Sequence, residues 1–218
     1  MASASLARLL RERTRDLHDR VERTGFVRTI VAGRVDAGSY ARLVESLYFV
    51  YAAMEHALDA HCDHPVVSML DFDELRRRAS LENDLAYWLG TNWRPQVSPS
   101  PATRAYVARV REVATIEPPR LVGHLYTRYL GDLSGGEILA RALRRVFGSN
   151  SDCGAAFYRF DRVADRTSLK ERYPRQLDAL PLDPTAAEHV TEEAQHAFAL
   201  NLRLFEELES NQGIAIVD

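Results

Sequence analysis

Cysteine is scarce in this chain. Its 218 residues hold two, Cys62 and Cys153, and neither belongs to a CxxC pair. That excludes a disulfide scaffold and paired-cysteine metal sites. It predicts reduced thiols in a reducing, cytoplasmic compartment. Long apolar runs are missing too. No window approaches the roughly 18 uncharged apolar residues of a membrane span, so no membrane anchor is expected. Arg8, Arg11, Arg13 and Arg15 precede no apolar stretch, which argues against a secretory signal. The apolar run Gly213–Val217 is too short for an anchor. Neither sign of charge dominates. A net charge of −3 gives no reason to propose nucleic acid as a partner. Period-two alternation of useful length and internal repeats are both absent, which argues against sheets and solenoids.

What is present reads as helix. Apolar residues make up 46% and charged residues 27%, ordinary for one globular core. A single domain over residues 1–218, with its core at about 6–208, and a monomeric state are expected. Leu6, Leu9, Leu10, Leu17 and Val21 recur at helical steps behind a Ser5 cap, and Gly25 ends that helix. Leu43, Leu47, Val50, Tyr51, Met54 and Leu58 mark a second helix. Asp73 to about Leu89 reads as another, with Arg76-Arg77-Arg78 as its solvated face. Residues 90–101 are a proline- and serine-rich loop. Pro101–Ile116, Pro119–Val146, a broken stretch over 157–180 and Thr185–Leu208 complete the pattern. Asn201 falls on the apolar face of the last helix. It is either hydrogen-bonded in the core or facing a wet cavity. The expected architecture is all-α, with about eight helices. His61-Cys62-Asp63-His64 carries zinc-ligand types. Its spacing matches no metal site and Pro65 marks a turn, so it reads as a helix end and loop.

Two stretches go beyond ordinary helix. Tyr126–Glu137 keeps Gly131, Gly135 and Gly136 within six residues of a helix. Each costs a helix interior roughly 0.5–1 kcal/mol relative to alanine. Gly131 and Gly135, one turn apart, bare a strip of backbone. Either another helix packs there or a flat ligand lies against it, with Asp132 and Ser134 in reach. In the first helix, Arg11, Arg15, His18 and Glu22 are spaced 4, 3 and 4 and share one edge. A solvated charged face is one reading. The other is a ligand site. A neutral imidazole ligates haem iron, a carboxylate one turn on orients the ring directly or through water, and two guanidiniums meet carboxylates on the ligand's edge.

The segment LVGHLYTRYLGDLSGGE, from Leu121, resembles the signature of haem oxygenases. LRERTRDLHDRVE, from Leu10, and EEAQHAFALNLRLFEEL, from Glu192, resemble that family's first and last helices. The likeness runs from Leu6 to about Leu208. It implies haem b as both substrate and cofactor, with His18 as axial ligand and Glu22 as its neighbour. It implies that Gly131 and Gly135, on a kinked distal helix, bring backbone over the haem and leave room for dioxygen. Asp132 would hold an ordered water network that supplies a proton, extended by Tyr51, Arg128 and Asn201. Phe198 would line the pocket. Arg11, Arg15, Tyr126 and Lys170 would meet the propionates. The residue after Tyr173, usually arginine, is Pro174 here, and Arg175 would take over its salt bridge. The implied reaction gives biliverdin, carbon monoxide and ferrous iron. Its electrons come from an external reductant, a ferredoxin or flavoprotein reductase, because no flavin or nicotinamide motif is present. A haem-binding or trafficking protein without turnover is the competing reading. A ligand-free interaction bundle is a third.

Overall fold

The computed structural model describes residues 5–148 and 154–211. Cys153, most of the loop expected at 149–154, and Gly213–Val217 lie outside them. The helices are α1 (Leu6–Glu22), α2 (Gly25–Val31), α3 (Ala37–Ala60), α4 (Arg78–Leu89), α5 (Pro101–Ile116), α6 (Leu121–Leu125), α7 (Gly131–Phe147), α8 (Arg166–Asp178) and α9 (Pro184–Ser210). A π turn, Tyr126–Leu130, joins α6 to α7. Counting that run as one body gives eight, and the described residues contain no strand.

Side-chain caps start several helices. Ser5, Asp36, Ser100 and Asp183 each accept a backbone N–H from three residues ahead. Such a cap satisfies one of the orphan donors at a helix start. Asp178, at the end of α8, also accepts from Ser5 Oγ and the Ala7 N–H, tying α8 to the head of α1. Gly25 does not simply end α1. It opens α2, and its N–H donates to Glu209 of α9 at 2.9 Å.

The long α9 is the spine against which α1, α2, α5 and α6 pack. The close approach of α6 depends on Gly123. A Cβ there would lie 2.6 Å from the Ala194 nitrogen. Beside it, buried Glu193 accepts from Arg109 Nε at 2.9 Å and lies 3.0 Å from His124 Nε2. Burial alone would raise the Glu193 carboxyl. The His124 and Arg109 hydrogen bonds outweigh it and bring it down to about 2.

One expected helix is split. Asp73–Leu75 is a 3-10 turn, and α4 begins only at Arg78. The arginine run between them is not a solvated face. Arg77 is 2% exposed. Its guanidinium donates to the carbonyls of Leu75, Glu74 and Arg159 and lies over the Phe160 ring. Arg76 pairs with Asp71 and Asp59, and only Arg78 is exposed. Interior carbonyls solvate the Arg77 charge, so its burial is satisfied.

Candidate functional site

The arginine–histidine edge of α1 faces the glycine strip of α7. Arg11, Thr14, Arg15 and His18 form one wall of a cleft of about 350 Å³. Tyr126, Thr127, Leu130, Gly131 and Ser134 form the opposite wall, with Phe198 of α9 between them. A second hollow of about 520 Å³ adjoins it through Arg11, Tyr126, Leu130 and Ser134. It runs on to Arg8, Lys170 and Pro174. The walls are largely apolar, and cations line the rim.

His18 is open to a ligand. Its side chain is 50% exposed, and the Phe198 ring meets it edge-on at 5.9 Å between centroids. Glu22 Oε1 is 3.8 Å from Nε2. That is ion-pair range and too long for a direct hydrogen bond; a water-bridged bond is the other form expected from sequence. Phe198 is the packing partner that the ring has in this structure.

The glycines divide by role. A Cβ on Gly131 or Gly135 would meet nothing within 4 Å. Helix packing therefore does not explain them: Gly131 lines the cleft, and Gly135, one turn on, faces open space. Gly136 packs, with Tyr158 Cδ1 at 3.2 Å from its Cβ position. Gly131 keeps ordinary helical angles, φ −61° and ψ −51°. The irregularity sits one turn earlier, in the π turn Tyr126–Leu130. Such bulges bend helices and recur at functional sites. This contrast predicts opposite stability effects. Gly135→Ala is expected to raise unfolding stability by about 0.5–1 kcal/mol, as helix propensity dictates. Gly123→Ala is expected to lower it, because backbone cannot yield as a side chain can. Urea melts of the two variants check this.

Behind the glycine wall, four elements bring one polar cluster together. Asp132 accepts a short hydrogen bond from the Tyr51 hydroxyl of α3. Arg128 Nη2 donates to the same carboxylate at 3.0 Å, and its Nη1 donates to Asn201 Oδ1 of α9 at 2.9 Å. Asn201 is therefore satisfied inside the core. Burial pushes the Asp132 carboxyl above its usual value, against the pull of Arg128 and the Tyr51 hydroxyl. Burial likewise pushes the Tyr51 phenol well up. Asp132 points inward to this cluster and is not among the cleft-lining residues; Ser134 is.

The cation rim corrects one expectation. Arg11 and Arg15 line the cleft, and Lys170 lines the adjoining hollow. Tyr126 lines both; its phenol is raised by burial and drawn back by Thr14 and Arg11. Arg175 is exposed and lines neither cavity, whereas Pro174 does line the hollow. A step of one residue turns a helix by about 100°, which carries Arg175 off the face that Lys170 and Pro174 share. Sequence reasoning missed Arg8, Thr14, Thr127 and Leu130 as lining residues. The spacing of Arg8 three residues before Arg11 was the available signal.

These features define a class of protein. It is an all-helical fold with an open, cation-rimmed cleft between an accessible histidine and bare helix backbone. The Heme oxygenase family profile matches residues 4–207. Heme oxygenase 1 of Synechocystis is 46% identical over 209 residues, covering 96% of this chain and 87% of that relative. Heme oxygenase 1 of Nostoc is 43% identical over 209 residues, covering 96% and 88%. The crystal structure of the Synechocystis heme oxygenase-1 in complex with heme superposes with TM-score 0.91, covering 95% of this chain and 94% of that one. That of a heme oxygenase from Leptospira interrogans superposes with TM-score 0.89 at 36% identity, covering 93% and 99%. The chain belongs to the haem oxygenase family, whose members degrade haem to biliverdin.

Proposed function

We propose that the cleft seats haem b between α1 and α7 and that the buried Asp132 cluster supports its oxidative cleavage to biliverdin, carbon monoxide and ferrous iron. One observation carries the reading. An accessible imidazole and a strip of side-chain-free backbone face each other across a single cleft.

His18 would hold the haem iron through a ring nitrogen, and Phe198 packs against the imidazole. Arg11, Arg15 and Lys170 offer charge-assisted hydrogen bonds to two propionates. Gly131 and Gly135 leave the space that a flat ring and a diatomic need. Leu130 and Thr127 help to keep bulk water from that face. Asp132 lies behind the wall, so it acts through water. A carboxyl with a raised pKa can hold a proton at Oδ1 or Oδ2 and pass it on. Tyr51 and Arg128 fix its orientation, and Asn201 fixes Arg128. Haem, with dioxygen and electrons, supplies the oxidising chemistry; this chain supplies position, desolvation and protons.

The electrons need an external donor, a ferredoxin or flavoprotein reductase. Ile138, Arg141, Arg144 and Arg145 form an exposed face further along α7. An apolar centre among guanidiniums suits an acidic partner.

A haem-binding protein without turnover has the same cleft, so the test is turnover. The chain with one equivalent of hemin is mixed in air with reduced ferredoxin and catalase. Loss of the Soret band with growth of a biliverdin band is expected. A stable hemin spectrum would leave binding alone, and no Soret shift on adding hemin would reject both readings.

A further inference from the structure

We propose that Arg8 is a further carboxylate-binding cation of this site, held by Glu12 when the site is empty and recruited when the acidic edge of the ligand arrives. The proposal rests on the haem reading above.

The two long sides of the adjoining hollow are unequal. On α8, Lys170 and Pro174 line it one turn apart. Proline has no charge and no donor to offer, and Arg175 turns away. That side therefore brings one cation. On α1, Arg8 and Arg11 line the same hollow, and Arg11 and Arg15 line the cleft. The spacing of 8, 11 and 15 puts all three on one face, rising about 1.5 Å per residue. Arg11 is the shared member. A ligand edge that spans both cavities, with a carboxylate in each, meets Arg15 and Arg11 at one end. At the other it meets Arg8 and Lys170.

Arg8 has no other evident task. Its side chain is 77% exposed, so it fills no core. Its partner is Glu12, at 2.8 Å one turn on, with Glu12 itself 50% exposed. Exposed pairs of this kind hold weakly and exchange partners readily. Glu12 thus competes with a carboxylate in the hollow for the Arg8 guanidinium. A bound carboxylate offers the guanidinium a planar, two-oxygen acceptor in a less hydrated setting, where such a bond is stronger.

The test is a set of hemin titrations followed at the Soret band. The chains are the parent, Arg8→Gln, Glu12→Gln, the double variant and Arg175→Gln. Each is also titrated with hemin dimethyl ester, whose propionates carry no charge. Arg8→Gln is expected to weaken hemin about tenfold and to leave the ester unchanged. Glu12→Gln is expected to tighten hemin, and that gain should largely vanish in the double variant. Arg175→Gln should match the parent. These residues are exposed, so folding is not at stake. Arg8→Gln binding hemin like the parent, or weakening hemin and ester alike, would overturn the proposal while the haem reading stands. So would a loss confined to Arg175→Gln. A parent chain that binds no hemin would instead overturn the haem reading, and this proposal with it.

Discussion

Asp132→Asn is expected to bind hemin like the parent chain and to form biliverdin at least about 100-fold more slowly. That is the scale of a lost proton-transfer group. The substitution keeps the shape of the carboxylate and one acceptor oxygen for Arg128. It removes the charge and the capacity to take up and release a proton at that position. Because Asp132 is absent from the cleft wall, its loss should not alter how the ring is seated. Binding and turnover are thus predicted to separate. Asparagine is the better probe than alanine here. Alanine would leave Arg128, itself 7% exposed, without its ionic partner. Such uncompensated buried charges typically cost about 3–5 kcal/mol. Stopped-flow absorbance of the hemin-loaded variant, with reductant in air, measures the rate. A rate within a factor of a few of the parent would remove Asp132 from the chemistry.

The second large effect is expected at His18, for the opposite structural reason. Its side chain is half exposed, and its contact with Glu22 is a surface pair. His18→Ala should therefore leave the unfolding midpoint nearly unchanged. It should nonetheless change the ferric absorption spectrum of added hemin and abolish turnover, because no other imidazole among the described residues lines the cleft. Exogenous imidazole fits the space that the side chain vacates and should restore the parent spectrum. An unaltered spectrum in His18→Ala would show that the iron is held elsewhere.

Much of the fold was legible because helical periodicity is a local property. Leu43, Leu47, Val50, Met54 and Leu58 all proved buried on α3, as did Leu121, Leu125, Tyr129 and Leu133 along the glycine-bearing run. Some features escaped because they depend on a partner remote in sequence. Arg77 looked like part of a solvated run, yet it donates to the carbonyl of Arg159, 82 residues on. The ring of His124 meets Glu193 across 69 residues, and no local pattern flags either as half of a buried pair. The π turn has no sequence signal, since Tyr126–Leu130 reads as ordinary helix. Arg175 failed for a simpler reason: adjacency in sequence is not adjacency on a helix face.

The site was legible in two different ways. Spacing alone placed Arg11, Arg15, His18 and Glu22 on one edge and Gly131 with Gly135 on one strip, and of these Arg11, Arg15, His18 and Gly131 line the cleft. Spacing left open whether that strip packs or binds, and the empty space beyond Gly131 and Gly135 excludes packing. Tyr51, Arg128 and Asn201 entered only through family resemblance. Their convergence on Asp132 needs α3, the π turn, α7 and α9 together, which no single stretch encodes.

The central claim is that one flat ligand lies between His18 and the glycine strip. A crystal structure of the chain with hemin bound tests it most directly. The account predicts iron held by an imidazole nitrogen of His18, the backbone of Gly131 and Gly135 against the opposite ring face, and both propionates toward the α1 and α8 cations. Hemin held by a different histidine, or seated with side chains other than those glycines over its open face, would contradict it.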